Sequence, residues 1–315
     1  LFLDIPYLYP WKRGHTMKTL ELFDLTHTQA APLLTASAYP WQALAGIKDF
    51  ILALGATVGH YKNRILSLPN GDYTTQVCGG ELLTAVGNPA AVFYGYRTLG
   101  VFSTAEEAAE ANLSLESANG SMVPFGAGDM HFFDKDNNGV IDAGDRVVIG
   151  NPNPDLYGNF KLDACYKRFS LSALFTYSLG NDAYNALRAQ LESGSSMLNQ
   201  TTAMKQRWVA DGQVTAVPRV TYGDPMGNSR FSDRWIEDAS YLRLKGLSIS
   251  YDVPLKNTFI KGLDVWASVS NVFTLTDYLG SDAEFALGSG VFQQGIDAGF
   301  VPQPRTWQFG VKVNL

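Results

Sequence analysis

From about residue 50 onward, apolar and polar residues alternate with a period of 2 in six separate stretches. In 50–58, Phe50, Leu52, Leu54, Ala56 and Val58 share one face, although Ile51 and Ala53 leave the other only partly polar. In 156–166, Leu156, Gly158, Phe160, Leu162, Ala164 and Tyr166 stand against Tyr157, Asn159, Lys161, Asp163 and Cys165. After Lys167 and Arg168 the pattern resumes with Phe169, Leu171, Ala173, Phe175 and Tyr177, so these two stretches predict a hairpin. Three more strands are predicted from Leu247, Ile249, Tyr251 and Val253; from Leu263, Val265, Ala267 and Val269; and from Trp307, Phe309, Val311, Val313 and Leu315.

Each stretch is about ten residues long, the length of a tilted strand that crosses a membrane. The connections alternate: two residues at Lys167 and Arg168, about sixty in 180–239, about eight in 255–262 and about thirty in 276–304. Short turns on one side and long loops on the other predict an all-β, antiparallel transmembrane β-barrel segment. Tyr166, Tyr177, Tyr251 and Trp307 are expected near the ends of the apolar faces, as an aromatic girdle. A secreted, calcium-dependent β-sandwich binding module would alternate in the same way and is the competing reading.

Residues 1–48 show no sustained period apart from a short helix predicted near 17–25, and they stay unassigned. The chain has 315 residues and a net charge of −6, which excludes a nucleic-acid partner. Its 30 glycines, 18 Phe, 15 Tyr and 6 Trp fit a turn-rich, strand-rich protein. The two cysteines, Cys78 and Cys165, exclude a disulfide framework and a CxxC metal site. No apolar run approaches the ~18 residues of a membrane helix. The chain begins at Leu1 without a basic and apolar leader, so either a removed signal or a missing N-terminus is expected.

One local motif carries chemistry. The stretch 134–145, DKDNNGVIDAGD, spaces oxygen ligands as an EF-hand loop does: Asp134, Asp136 and Asn138 at positions 1, 3 and 5, and Gly139 at the sharp turn. The Val140 carbonyl follows at position 7, with Asp142 at 9 and Asp145 at 12. A hard cation needs six or more oxygens, and a chain curling around it offers alternate side chains. Position 12 is Asp rather than Glu, which shortens its reach. Pro152 and Pro154 exclude a following helix, so the alternative is a solvated Asx-rich turn without an ion. With calcium, the loop would act as a structural staple.

Elsewhere the candidates are weaker. His15, His27, His60 and His131 are scattered without HxxxH or HExxH spacing, and no GxSxG accompanies the serines near Ser193. No enzyme is therefore expected. The run after Gly100, STAEEAAEA, predicts a short helix capped by Ser103 or Thr104.

Five blocks carry a family resemblance: GNPAAVFYGYRTLGVFST, GDMHFFDKDNNGVIDAGDRVVIGNPNPDLYGNF, SDRWIEDASYLRLKGLSISYDVP, VWASVSNVFTLTDYLGSDAE and PQPRTWQFGVKVNL. In this order they resemble the C-terminal part of SusC/RagA-type TonB-dependent transporters, over about residues 50–315. The resemblance implies a domain from 49 to 315 that belongs to a large plugged barrel in the outer membrane of a Gram-negative bacterium. It implies nutrient uptake, of oligosaccharides or peptides, with a SusD-like surface lipoprotein, the rest of the barrel and plug, and TonB acting through a missing N-terminal part. It also places Gln308, Gly310, Val313 and Leu315 in the end motif read by the barrel-assembly machinery, although relatives often end in Phe. Six strands cannot close a 22-stranded barrel, so a fragment that does not transport alone is expected. With Leu315 at the periplasmic end, the long loops and the 134–145 motif face outward.

Overall fold

A computed structural model describes residues 50–256, 259–285, 287–288 and 290–314. The helix expected near 17–25, the unassigned segment 1–48 and Leu315 lie outside the described residues. Six long strands form one antiparallel sheet in chain order: β1 (Phe50–Gly59), β2 (Leu156–Tyr166), β3 (Phe169–Leu179), β4 (Tyr241–Asp252), β5 (Gly262–Thr276) and β6 (Thr306–Asn314). All six lie on the stretches that alternate, and Tyr166 pairs with Phe169 across the expected two-residue turn. Lys167 takes a positive φ of 55° there, which lets the chain reverse within two residues.

The register turns each strand's alternation into rows that cross the whole sheet. Leu52, Ala164, Leu171, Ile249, Ala267 and Phe309 form one row, and Leu54, Leu162, Ala173, Leu247, Val269 and Trp307 the next. Toward the tight turn lie Tyr166, Phe169, Tyr251, Val265 and Val311, with the Phe169 and Tyr251 rings 4.5 Å apart. Toward the long connections lie Ala56, Phe160, Phe175, Leu244 and Phe273, with Phe160 and Phe175 stacked at 4.3 Å. A fifth row holds Val58, Gly158, Tyr177, Leu242 and Leu275. Most of this face stays open, with Leu54 73% and Phe309 75% exposed on the outer strands, while Ala173, Leu244 and Val269 on the inner strands are buried by their neighbours. The rows between are polar, as in Asp163, Ser172, Ser248, Ser268 and Gln308.

Trp307 departs from the girdle expectation. It faces Val269 in the middle apolar row, because β5 runs past the start of β6 and its last residues, up to Thr276, pair only with β4. The end-motif residue Gly310 lies on the polar side opposite Trp266, and a Cβ there would run into the indole ring. Gln308 faces Ser268 and Val313 faces Leu263. The register shifts at Lys245 on both sides of β4: Lys245 is the extra residue against β3, between Leu174 and Phe175, while on β5 Asn271 and Val272 stand opposite it.

An antiparallel meander returns every second connection to the same end. The three long connections (60–155, 180–240 and 277–305) therefore meet at one end, and they fold together into a cap. The 182–185 strand pairs antiparallel with 236–238 and parallel with 296–297, so two different connections share one small sheet. Trp235, fully buried, packs with Leu82, Phe93, Tyr184 and Ile296, which come from all three connections. A second core gathers Phe102, Phe125, Phe132 and Ile141 from the first connection with Met226 from the next. Helix α1 (Ala105–Ala111) lies here, and its N-cap is Thr104, whose hydroxyl accepts from the Glu107 N–H. Helix α2 (Ala186–Leu191) follows the central strand of the small sheet.

A core shared by three segments should fail as a unit. Trp235→Ala removes its largest buried side chain, at a cost of about 3–5 kcal/mol. Limited proteolysis should then cut both 180–240 and 277–305 faster while the six-stranded sheet keeps its β circular-dichroism signal. Acceleration confined to 180–240 would show that the connections fold independently.

Candidate functional site

The 134–145 loop is built into the second core. Ile141 is fully buried there, and its N–H donates to the Ser114 carbonyl at 2.9 Å. The Ser114 N–H and hydroxyl both donate to the Gly139 carbonyl, at 2.9 and 3.1 Å. These bonds hold the turn from outside and leave the Val140 carbonyl without a partner among the described hydrogen bonds. Gly139 sits at φ 78° and Asn137 at φ 57°, so the sharp turn expected at position 6 is present. The Gly139 N–H donates to Asp134 Oδ2 at 2.8 Å.

The turn brings three carboxylates together: oxygens of Asp134, Asp136 and Asp145 lie within 4.8 Å of one another. Asp145 is fully buried, and its two oxygens accept from the Lys135 and Asp142 N–H groups, each at 2.8 Å. Asp134 Oδ1 is buried with no hydrogen-bond partner. Among the described residues no Lys, Arg or His forms an ion pair with any aspartate of the loop. Clustered anionic oxygens without a cationic side chain, one of them orphaned, fit a hard, oxygen-liganded cation.

Two expected ligands are engaged elsewhere. The Asn138 amide oxygen accepts from the Val140 N–H at 2.6 Å, while its nitrogen donates to Asp136 at 3.0 Å. Asp142 caps the 3₁₀ turn Ala143–Asp145 through the Gly144 N–H, so it stands outside the carboxylate cluster. Next in the chain, Arg146 donates to Glu81 and lies 5.4 Å over the Tyr94 ring, which ties the loop's exit to a neighbouring strand, Gly80–Thr84.

A second charged site, on the sheet's polar face, has no local motif. Arg243 of β4, almost fully buried, pairs with Asp282 and with Glu284 (2.9 Å), both from the β5–β6 connection. The extra residue Lys245 reaches Glu284 at 2.7 Å and the Gln303 side chain at 2.9 Å. Burial pushes the Asp282 carboxyl up, but hydrogen bonds from Arg243 and from the Gln303 and Glu284 N–H groups outweigh it and hold the group below its ordinary value. The clamp draws 277–305 onto the polar side of the sheet. His60 and His131 are not brought into a metal site, since Asp134, Asp136 and Asp145 form the one cluster of that kind among the described residues. Cys78 and Cys165 are both free.

No protein-family model matches the chain. It is 31% identical over 284 residues to TonB-dependent receptor P3 of Formosa agariphila, covering 85% of this chain and 27% of that receptor. It is 28% identical over 189 residues to TonB-dependent receptor SusC of Bacteroides thetaiotaomicron, covering 58% of this chain and 17% of the receptor. Among solved structures, the RagAB peptide transporter superposes with a TM-score of 0.65 at 22% identity, covering 84% of this chain and 27% of that one. The chain thus belongs to the TonB-dependent receptors, and its fold matches about a quarter of the RagAB transporter chain. It spans about a quarter of the length of the first curated relatives it matches. Those relatives are named receptors, in line with the expectation that the chain is not an enzyme.

The clamp has a defined pH dependence. A carboxyl depressed in the folded state stabilises above its ordinary value, 3.8 for Asp282, and that contribution fades as pH falls through the lower folded value. Protease resistance of 277–305 should hold at pH 5 and fall only below pH 3.8. Arg243→Met strands the Asp282 carboxylate and leaves Glu284 to Lys245 alone, at a cost on the order of 3 kcal/mol, and should expose the segment already at pH 7. Wild-type cleavage that rises between pH 7 and 5 would contradict the clamp.

Proposed function

We propose that the chain is part of a TonB-dependent outer-membrane nutrient importer of a Gram-negative bacterium, and that its cap faces outward. The observation that carries this reading is the open apolar face of the sheet. Its five rows are separated by four two-residue steps, about 27 Å along the strands at ~3.4 Å per residue. At a tilt of ~40° that covers about 20 Å of membrane height, close to the apolar band of an outer-membrane barrel. A soluble sandwich would pack a second sheet on these rows, and among the described residues none does.

In this reading further strands pair with β1 and β6, since an open edge in lipid would leave backbone groups unpaired. The chain then contributes wall, cap and lumen lining, and does not transport by itself. The partners that go with the reading are a SusD-like surface lipoprotein over the cap, a plug within the barrel, TonB acting on that plug, and the barrel-assembly machinery acting on the last strand. The transported ligand is an oligosaccharide or a peptide. Calcium at Asp134, Asp136 and Asp145 would neutralise the three carboxylates and fix the first connection before it enters β2. Asn138 and Asp142 would turn toward the ion from their present bonds, and the free Val140 carbonyl is available as it stands.

Membrane placement is tested by paired charges on neighbouring residues. Leu247→Arg puts a cation in the middle apolar row and costs ~2–4 kcal/mol at a bilayer midplane, whereas Ser248→Arg points to the polar side. Heat-modifiable, folded receptor in the outer-membrane fraction should fall strongly for the first and little for the second. Equal yields, or wild-type protein that stays monomeric without detergent, would overturn the importer reading.

The ion is tested separately. In the intact protein, calcium should slow proteolysis of 100–155 compared with chelator, and Asp134→Ala combined with Asp136→Ala should abolish the difference while the sheet persists. Identical wild-type cleavage with calcium and chelator would return the loop to an ion-free Asx-rich turn.

A further inference from the structure

The two short connections of the sheet, 167–168 and 253–261, lie at the end opposite the cap. Their ionisable residues are Lys167, Arg168, Lys256 and Lys261, all cations, and the sequence of both turns holds no acid. All four residues are exposed, and among the described residues none of them forms an ion pair. The acids nearest to them, Asp252 and Asp264, face each other across β4 and β5. Asp252 follows the parity of Ser248 and Ser250, and Asp264 that of Ser268, so both belong to the polar side, as does Lys312 opposite Asp264. In the three long connections, by contrast, Asp and Glu outnumber Lys and Arg. The net charge of −6 therefore conceals a cationic end.

These cations border apolar surface directly. The Lys167 ammonium lies 5.2 Å over the Tyr166 ring, and Tyr166 and Phe169 are exposed members of the apolar row nearest the tight turn. Lys261 has the parity of Leu263 and Val265, which places it on the apolar face, one step beyond Leu263. Between Lys256 and Lys261, Phe259 is 74% exposed, and Leu255 beside Lys256 is exposed too. Backbone bonds hold both turns to the sheet: the Asp252 N–H donates to the Arg168 carbonyl at 2.9 Å, and the Lys261 N–H to the Asn314 carbonyl at 2.7 Å. Rings and cations thus keep a fixed order along the strands.

We propose that this end of the sheet binds the headgroups of anionic phospholipids. A bilayer presents hydrocarbon and then a layer of phosphates, and the sheet presents exposed rings and then unpaired cations in the same order. Lysine stems lie along apolar surface while their ammonium groups reach the polar layer, and Lys167 already lies along Tyr166. An acidic soluble protein would satisfy the charges but has no use for the apolar row beside them. The assignment rests on the importer reading, which puts this end in the periplasmic leaflet, and it adds the lipid class that fixes the depth of the sheet there.

The test places the intact receptor in bilayer discs, which leave both membrane faces accessible, made of phosphatidylcholine alone or with one part in four of phosphatidylglycerol. Acetylation of single lysines by a membrane-impermeant N-hydroxysuccinimide ester is followed by peptide mass spectrometry. Phosphatidylglycerol should slow Lys167, Lys256 and Lys261 about fivefold, the weight of one cation at an anionic surface. About 1 M NaCl, with a Debye length of about 3 Å, should remove the effect. Lys62 and Lys205, exposed in the cap, are the controls and should not respond. In a variant that combines Lys167→Gln, Arg168→Gln and Lys261→Gln, the remaining Lys256 should be protected less than about twofold. Absence of slowing by phosphatidylglycerol, equal slowing of Lys62 and Lys205, or full protection of Lys256 in the triple variant would overturn the assignment. Equal slowing in phosphatidylcholine discs by millimolar inorganic phosphate would do so in favour of a free anion, and by soluble polyglutamate in favour of an acidic protein. A receptor that enters the discs and gives one of these results loses only the lipid assignment. One that does not enter them overturns the importer reading, and the assignment with it.

Discussion

Backbone pairing across six consecutive strands is the constraint from which the other features descend. Each strand exchanges hydrogen bonds with its sequence neighbours in unbroken antiparallel register, save for the shifts at Leu174/Phe175 and Leu244/Gly246. Because the side-chain period is 2, that register decides which residues stand together. Leu52, Ala164, Leu171, Ile249, Ala267 and Phe309 come from six strands and share a row only because no strand has slipped. A slip of one residue in β4 would replace Ile249 with Ser250 and bring Arg243 to the apolar face. The antiparallel order also decides that 60–155, 180–240 and 277–305 emerge at one end, close enough to share the core around Trp235.

The shift at Lys245 shows how one irregularity serves both faces. Without it Arg243 and Lys245 would already share the polar side, but Leu247 would then fall on that side too and break the middle apolar row. The extra residue lets Arg243 and Lys245 both reach Glu284 while Leu247 returns to face Val269. On β5, Asn271 takes a positive φ of 53°, its amide donates to the Pro304 carbonyl, and its own carbonyl accepts from Arg305. Both strands thus use the break to hold the ends of the same connection, at Glu284 and at Pro304.

The six strands were legible because their signal is local and periodic, and so was α1, with its Thr104 cap and Glu107. The carboxylate cluster was legible for the same reason, since EF-hand spacing is written within twelve residues. What spacing alone does not reveal is competition. Asp142 fits position 9 on paper but caps the 3₁₀ turn, and Asn138 closes an Asx turn on Val140. The cap was illegible because Leu82, Phe93, Tyr184, Trp235 and Ile296 are drawn from three aperiodic segments. The Arg243 clamp was hidden likewise, since its acidic partners lie 39 and 41 residues away. Trp307 was misplaced because composition near a strand end does not reveal which neighbour outlasts it.

The 134–145 loop and the clamp address one mechanical problem from opposite sides. A connection of nearly a hundred residues entering β2 could transmit its motion to the strand and loosen its register, since chain disorder at a strand end competes with pairing. The loop at 134–145 lies ahead of that entry and is fixed three times: by Ile141 in the core, by Ser114 at the turn and by Arg146 on Glu81 and Tyr94. Its remaining weakness is electrostatic, because the same packing crowds three carboxylates together. In the proposed reading, a bound cation would convert that repulsion into the tightest point of the segment. The clamp needs no ion, because Arg243 and Lys245 supply the positive charge from the strand itself. Where the sheet could provide cations the chain uses side chains; where the loop stands apart from it, the proposed reading gives the aspartates a cation from solution.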